Sequence, residues 1–165
     1  MIDPYSTHQR LLVKHMLETT GPVIELGAGN YSTPILHEIA AAQGRHLTTV
    51  DNNPDWLNRF KIFEWDGHAL DLLASWDDFQ PESYGLAFVD HADPPTHPRW
   101  IQVQKLLPVA GVIVIHDTED DQYGYSRLMA EIDVIDEDTT HRTHTRVIRR
   151  KKTTDVMLRP AAPDK

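Results

Sequence analysis

Residues 22–36 constrain the fold of this chain more than any other stretch. A short apolar run ends in the carboxylate of Glu25, glycines follow at Gly27 and Gly29, and a helix-like apolar pattern begins after Ser32-Thr33-Pro34. Glycine permits a sharp turn and a close approach of a ligand to the backbone, and a helix N-terminus offers free N–H groups to an anion. The stretch therefore predicts a strand, a ligand-binding glycine turn, and a helix capped by its Ser or Thr with proline in the first turn.

Composition limits the classes of protein to which the chain can belong. Its 165 residues, 40% hydrophobic and 25% charged, are typical of one soluble globular domain. The absence of cysteine excludes disulfides, thiolate metal sites and a cysteine nucleophile. No apolar run is long enough to span a bilayer, and the N-terminus does not resemble a signal peptide. We therefore expect a cytoplasmic protein with no membrane partner.

The charge pattern disfavours a broad nucleic-acid surface. The net charge is −9, whereas phosphate binding needs clustered cations. Residues 141–152 are the local exception, with six Arg and Lys and no carboxylate. We interpret this stretch as part of a charged hairpin at a sheet edge, which resists edge-to-edge pairing; the alternative is a phosphate-binding patch.

Apolar runs alternate with helical patterns along the rest of the chain. Helices are predicted from a cap at Ser6 or Thr7 to residue 18, and over 33–43, 54–63, 98–107 and 123–132. Strands are predicted over 23–25, 45–51, 84–91 and 112–119, with a final antiparallel pair at 133–136 and 145–150. The third strand has two registers, 61–65 or 68–73, of which we prefer the second. We expect one domain over residues 1–152 and a loose tail over 153–165.

Polar residues follow four of the five predicted parallel strands, and they are Glu25, Asp51, Asp90-His91 and His116-Asp117. Ligands of open α/β sheets bind at these carboxyl ends. Asp51 comes about 20 residues after the glycine turn, where nucleotide-binding folds place a carboxylate that accepts hydrogen bonds from ribose. The alternative for Asp51 is a turn or helix cap.

Two further side chains are candidates for the same edge of the sheet. Trp76, after the third strand, is suited to stack on adenine, although it could belong to the core instead. His8, on the first helix, could line a substrate pocket, but we expect a partly exposed structural histidine.

These features together resemble the class I S-adenosylmethionine (SAM) methyltransferases, and in particular a group of small bacterial methyltransferase-like proteins. The resemblance covers residues 6–152 and is carried by Glu25-x-Gly27-x-Gly29, Ser32-Thr33-Pro34, Asp51, Val89-Asp90-His91 and His116-Asp117-Thr118-Glu119. It implies a Rossmann-like, doubly wound α/β fold with a seven-stranded sheet, mostly parallel, that ends in an antiparallel hairpin. It also implies SAM as the cofactor, held by Glu25, Gly27, Ala28, Gly29, Ser32, Thr33, Asp51, Asn52, Trp76 and Asp90.

The resemblance places the reactive methyl group near the ends of strands four and five. A histidine is a suitable base near neutral pH, so we expect His116 or His91 to accept the proton, with Asp90 and Asp117 orienting the ring. The alternative is that these residues only close the strand ends with hydrogen bonds.

We expect no metal site. In catechol-type O-methyltransferases, acids at the ends of strands four and five hold Mg²⁺, and Asp90 and Asp117 match that pattern. Thr118 replaces the asparagine of that family, which weakens the magnesium alternative. A transition-metal site from His91, His116 and Asp117 has no diagnostic spacing.

The sequence thus predicts a SAM-dependent methyltransferase acting on a small molecule rather than on nucleic acid. No insertion is long enough to form a substrate lid, so a homo-oligomer could supply a pocket wall. One alternative is a non-catalytic SAM-binding protein or partner subunit. A second is an NAD-dependent oxidoreductase, which is disfavoured because Glu25 precedes the glycines and no substrate domain is present.

Overall fold

The alternating pattern builds one seven-stranded sheet, in the order β3-β2-β1-β4-β5-β7-β6. The computed structural model describes residues 3–92, 98–119 and 121–152, so the predicted tail at 153–165 lies outside the described residues. The strands are β1 (Val23–Leu26), β2 (Leu47–Asp51), β3 (His68–Leu72), β4 (Tyr84–Val89), β5 (Ala110–His116), β6 (Ile132–Asp138) and β7 (Thr145–Arg150). The preferred register of the third strand is confirmed.

Strand pairing matches the predicted topology. β1 pairs in parallel with β2 and β4, β3 adds in parallel to β2, and β5 adds in parallel to β4. β7 runs antiparallel to both β5 and β6. The sheet is therefore mostly parallel and ends in an antiparallel hairpin, as the sequence predicts.

The described residues form four α-helices, of which the first precedes β1 and the others lie between strands: α1 (Gln9–Glu18), α2 (Thr33–Gln43), α3 (Pro54–Leu57) and α4 (Trp100–Leu106). Two predicted helices are largely 3-10 instead. The segment after α3 continues as a 3-10 helix, Asn58–Phe63, and the predicted helix over 123–132 becomes two 3-10 turns, Asp121–Tyr123 and Tyr125–Leu128. Gly124, with a left-handed φ of 73°, separates these two turns and prevents one continuous helix.

The predicted cap is wrong for α1 but has the right position for α2, and in neither helix does a side chain make the cap bond. His8 occupies the N-cap of α1 without a side-chain cap bond, while the Thr7 hydroxyl contacts His116 across the fold. Ser32 occupies the N-cap of α2, also without a side-chain cap bond, and the Thr33 hydroxyl donates to Glu25.

Both faces of the sheet are apolar, which explains the nearly continuous hydrophobic runs of the central strands. Ile24 and Leu26 of β1 pack into the core on one face, whereas Val23 packs on the other face with Leu11 and Leu12 of α1. Because the chain reverses its direction of winding between β1 and β4, a crevice opens at their carboxyl ends, where ligands of such sheets bind.

The basic stretch belongs to the hairpin, as interpreted from the sequence. β7 lies inside the sheet between β5 and β6, where Arg146 pairs with Glu137 and Arg149 lies 3.8 Å from Asp133. Carboxylates of β6 therefore offset part of its charge. Within the described ranges, no helix has the length and apolar character needed to cross a bilayer.

Candidate functional site

A cavity of about 840 Å³ lies at the carboxyl ends of the central strands. Most of the residues predicted from the sequence meet there, namely Gly27, Ala28, Gly29, Ser32, Asp51, Asn52, Asp90, His116 and Asp117. The cavity thus joins the glycine turn after β1 to the polar ends of β2, β4 and β5.

The glycine turn is packed so closely that it requires glycine. Gly27 has φ 94°, and its N–H donates to the Val50 carbonyl at 2.8 Å. A Cβ at Gly27 would lie 2.4 Å from the Cα of His91, which no side chain can occupy. This contact ties the turn after β1 to the residue pair that follows β4.

Glu25 supports the turn from beneath rather than lining the cavity. The carboxylate is fully buried, and its Oε2 accepts hydrogen bonds from the hydroxyls of Thr33 at 2.8 Å and Thr49 at 2.6 Å. Thr33 in turn accepts the N–H of Gly29 at 2.9 Å. Burial raises the pKa of Glu25 to about 7, although these hydrogen bonds lower it in part. Glu25 and Thr33 therefore do not reach the cavity, because both side chains are fully buried beneath the glycine turn.

The buried hydrogen bonds continue from Glu25 to the other side of β2. Because the Thr49 hydroxyl donates to Glu25, it accepts from His68, whose Nε2 lies 2.9 Å away. The Nδ1 of His68 then accepts from Nδ1 of His37, at 3.1 Å. Burial lowers the pKa of His68 to about 4, so this ring is neutral in the chain of bonds.

Asp51 closes the cavity at the end of β2. One carboxylate oxygen accepts the N–H of Ala28 at 3.0 Å, and the other accepts the N–H of Asn53 at 2.8 Å. Burial raises its pKa, while these backbone bonds lower it in part. A carboxylate offers about four acceptor positions, so Asp51 keeps acceptor capacity for a ligand beside its backbone donors.

Arg99 organises the acids at the ends of β4 and β5. Its Nη1 lies 3.2 Å from Oδ1 of Asp90 and 3.3 Å from Oδ2 of Asp117, and the buried guanidinium stacks 3.9 Å above the ring of Tyr123. Asp117 adopts a left-handed φ of 57°, which brings its side chain to this cation. Arg99 therefore offsets part of the negative charge that a magnesium ion at Asp90 and Asp117 would require.

His116 and Asp90 form a close pair on the cavity wall. Nδ1 of His116 lies 3.3 Å from Oδ2 of Asp90 and 3.5 Å from Oδ1 of Asp117, and its Nε2 lies 3.0 Å from the Thr7 hydroxyl. Burial lowers the pKa of His116, but the hydrogen bond and charge of Asp90 outweigh it, and the net shift is upward. Burial also raises the pKa of Asp90, yet His116 and Arg99 bring it below its ordinary value.

Two predicted site residues lie in the core instead. The rings of His91 and Trp76 stack with centroids 4.1 Å apart, and their exposed fractions are 0% and 1%. Neither lines the cavity. The expectations that His91 acts as a base and that Trp76 stacks on adenine are therefore wrong, because each ring is buried against the other.

Several cavity residues were not predicted from the sequence, and they are Tyr5, Asn30, Tyr31, Asn53, Trp56, Ala92, Arg99 and Tyr123. Trp56 is the tryptophan at the cavity, and its indole N–H donates to the Ala28 carbonyl at 2.6 Å. Its position in the first turn after Asp51 was a usable signal. Arg99 offered none, since it follows a proline-rich stretch with no periodicity.

His8 also lines the cavity, and it is buried rather than partly exposed. Burial lowers its pKa to about 4, against smaller opposing effects from Asp90 and the Tyr31 backbone. Among the described residues, His8, Asp90 and His116 could together hold a metal ion, because each offers a ligand atom within 4.8 Å of the others.

Comparison with known proteins identifies the fold. No protein-family model matches the chain. No curated protein matches it either. Similar solved structures include a ribosomal protein L11 methylase from Lactobacillus delbrueckii subsp. bulgaricus, with 14% identity over 90% of this chain and 79% of that chain and a TM-score of 0.65. An rRNA methylase from Streptococcus thermophilus has 12% identity over 92% of this chain and 99% of that chain, with a TM-score of 0.61.

A third similar structure contains a ligand. It is an RNA methyltransferase from Salinibacter ruber in complex with S-adenosyl-L-homocysteine, with 12% identity over 88% of this chain and 95% of that chain and a TM-score of 0.57. The chain therefore has the Rossmann-like fold of class I SAM methyltransferases, which confirms the fold that the sequence resemblance predicts.

Proposed function

We propose that the chain is a SAM-dependent methyltransferase whose acceptor is a small molecule. The observation that supports this best is the placement of the glycine turn and the Asp51 carboxylate on the same cavity as the Asp90–His116 pair. One end of the cavity thus suits an adenosyl cofactor, and the other end carries acid–base groups. The fold adds support, since the similar Salinibacter ruber enzyme binds S-adenosylhomocysteine.

The cofactor would lie across the carboxyl ends of β1 and β2. The free acceptor capacity of Asp51 suits the two ribose hydroxyls, and Asn52 and Trp56 border the space beyond them for adenine. The methionine part would pass along the glycine turn and Ser32. In this arrangement Asp90 and His116 would line the part of the cavity that receives the methyl group.

Methyl transfer is an in-line displacement at the methyl carbon. SAM held in the cavity would supply an electrophilic methyl group: the acceptor atom would form a bond to that carbon while the sulfur–carbon bond breaks and its electron pair returns to sulfur, leaving S-adenosylhomocysteine. The proton lost by the acceptor would be taken up by the Asp90–His116 pair, in which Oδ2 of Asp90 lies 3.3 Å from Nδ1 of His116. Much of the rate comes from holding the two reactants in line.

The N-terminal segment favours a small acceptor over a nucleic acid. Tyr5 and His8 line the cavity, and the segment is fastened by hydrogen bonds from the Tyr31 hydroxyl to Asp3 at 2.8 Å and from the Gln9 amide to the Tyr31 carbonyl at 2.9 Å. A cavity of about 840 Å³ is within the usual range for small-molecule sites. In β7, Arg146 and Arg149 lie beside carboxylates of β6, which reduces the positive charge that they offer to phosphates.

Calorimetric titration with SAM, S-adenosylhomocysteine and NAD tests the cofactor. We expect the two adenosyl ligands to bind and NAD not to bind. Asp51→Asn should weaken their binding by roughly 10- to 100-fold, because it removes charge-assisted hydrogen bonds to ribose. Asp55→Asn, which changes an exposed carboxylate on α3, is the matched control and should bind normally. Preference for NAD, or equal binding by both variants, would refute the assignment.

An acceptor screen tests catalysis separately. Hydroxyl- and amine-bearing small molecules are incubated with SAM, and formation of S-adenosylhomocysteine is measured. His116→Gln should abolish turnover and leave S-adenosylhomocysteine binding intact, whereas His46→Gln, at an exposed position, should change neither. Binding without turnover on any acceptor would favour the non-catalytic SAM-binding alternative.

A further inference from the structure

Three side chains from distant parts of the chain converge on the cavity wall. His8 comes from the N-cap of α1, Asp90 follows β4, and His116 ends β5, and their potential ligand atoms all lie within 4.8 Å of one another. Neighbouring ligands of one ion, bound at about 2.0–2.2 Å, are separated by roughly 3–3.5 Å. The 3.3 Å between Nδ1 of His116 and Oδ2 of Asp90 already fits that spacing. A small rotation of His8 would complete the set.

His8 supplies an independent sign that a ligand belongs there. Its side chain is only 2% exposed, and within residues 3–92, 98–119 and 121–152 the Tyr31 backbone, which raises the pKa of His8 slightly, is the one polar group near enough to serve a ring nitrogen. Its ring lies edge-on to that of His116, with centroids 4.8 Å apart. Buried polar atoms are almost always satisfied by protein, water or a bound ion. At least one nitrogen of His8 therefore lacks a partner in the protein and is available to a ligand in the cavity.

Hydrogen bonds around His116 leave a lone pair facing a carboxylate. The Thr7 hydroxyl lies 3.2 Å from the Thr143 carbonyl, 2.8 Å from the Thr143 hydroxyl and 3.0 Å from Nε2 of His116. All three contacts are satisfied only when Thr7 donates to that carbonyl and accepts from Nε2–H of His116. In the neutral ring, Nδ1 then carries a lone pair directed at Asp90. A positive charge between these two acceptors, either a proton on Nδ1 or a bound metal ion, removes their repulsion.

The surroundings also match the outer shell of a metal site. Oδ1 of Asp90 pairs with Arg99 at 3.2 Å, which leaves Oδ2 for another partner. Nε2 of His116 is held by Thr7, which fixes the orientation of the ring. Ligating histidines and carboxylates are usually held by such second hydrogen bonds.

We propose that His8, Asp90 and His116 bind one divalent first-row transition-metal ion, such as Zn²⁺ or Co²⁺, with open positions towards the cavity. Two imidazoles and one carboxylate suit these ions, whereas Mg²⁺ prefers oxygen ligands. The site differs from the magnesium alternative of the sequence analysis, because it joins Asp90 to two imidazoles and does not include Asp117.

The role of the ion rests on the proposed function, but its binding does not. An oxygen of the acceptor that coordinates the ion would lose its proton more readily, because the positive charge stabilises the oxyanion. In the loaded protein His116 is then a ligand, and the ion replaces it as the group that favours proton loss. Turnover should accordingly depend on His8 as well as on His116.

Titration of the chelator-treated protein with Co²⁺, in the absence of SAM, tests the site. Visible absorption of bound Co²⁺ should saturate at one ion per chain, and Mg²⁺ should not displace it. His8→Gln and Asp90→Asn should each weaken binding by about 100-fold, since removal of an outer-shell partner alone often reduces affinity by about 10- to 100-fold. His46→Gln, which removes an exposed histidine, is the control and should bind as the wild type does. Circular dichroism checks that each variant is folded.

A second measurement needs no variant. In the Co²⁺-loaded wild type, the proton NMR spectrum should contain paramagnetically shifted signals from two imidazole rings. Absence of stoichiometric binding, shifted signals from fewer than two rings, or equal affinity in folded His8→Gln would overturn the proposal.

The two proposals fail in different ways. Co²⁺ binding without any S-adenosylhomocysteine binding supports the metal site and refutes the proposed cofactor. Binding of S-adenosylhomocysteine to a protein that takes up no Co²⁺ supports the cofactor and refutes the metal site.

Discussion

The buried carboxylate of Glu25 should make folding stability depend on pH in a defined direction. Its pKa in the folded chain is about 7, against an ordinary value of 4.5, because burial outweighs the hydrogen bonds to its oxygens. The folded state therefore keeps a proton that the unfolded state releases. The contribution of Glu25 to the free energy of unfolding is therefore fully present below pH 4.5. It decreases as the pH rises from 4.5 to 7 and is lost above pH 7.

Glu25→Gln removes this titration and keeps an oxygen to accept from Thr33 and Thr49. The difference between the two pKa values corresponds to about 3 kcal/mol. We therefore expect the free energy of unfolding of the wild type, relative to Glu25→Gln, to decrease by about that amount between pH 4.5 and pH 8. Subtracting the variant cancels the other groups that titrate in this range.

Urea unfolding followed by circular dichroism, repeated across this pH range, measures the difference. Glu38→Gln, which changes an exposed carboxylate on α2, is the control and should run parallel to the wild type. A wild-type stability that keeps a constant offset from Glu25→Gln at every pH would refute the reasoning. The burial of Glu25 would then not keep its proton in the folded state.

Four other substitutions test the packing around the cavity. Gly27→Ala should lower the free energy of unfolding by about 4 kcal/mol or more, because its Cβ would meet the backbone of His91; urea unfolding within about 1 kcal/mol of wild type would contradict this. Arg99→Met should lower the free energy of unfolding by about 3–5 kcal/mol, because it leaves two partly buried carboxylates without their cation. An unchanged melting temperature would contradict this prediction. Trp76→Phe should lower the free energy of unfolding by about 1–3 kcal/mol and leave the affinity for S-adenosylhomocysteine unchanged. Trp56→Phe should weaken that affinity. If calorimetry gave the reverse pattern, Trp76 rather than Trp56 would contact the cofactor.

Features set by neighbours in the chain could be predicted from the sequence. The apolar runs predicted the buried strands, since a strand covered on both faces needs hydrophobic side chains on both. The glycine turn and Asp51 could be assigned to the cavity, because parallel strands end at the same edge of a sheet. Gly27 was a reliable signal for a local reason, because residues other than glycine rarely adopt its φ of 94°.

Features set by packing could not be predicted in this way. Asp90 and His91 are adjacent, yet one faces the cavity and the other stacks in the core on Trp76. Residue type alone does not separate them, because both are polar residues that follow a buried strand. The direction in which the chain leaves β4, fixed by its close contact with Gly27, makes that choice.

Long-range convergence is the other part that only the tertiary structure decides. Arg99 joins the acids of two strand ends, and His8 reaches His116 from the far end of the chain. Neither residue has a local pattern that distinguishes it from an ordinary surface arginine or helix histidine. The sequence by itself thus determined the sheet, the glycine turn and the position of Asp51 at the cavity, since these follow from local periodicity and spacing. Only the tertiary structure decided which side chains surround Asp90 and His116, because these side chains come from distant parts of the chain and meet only in the completed fold.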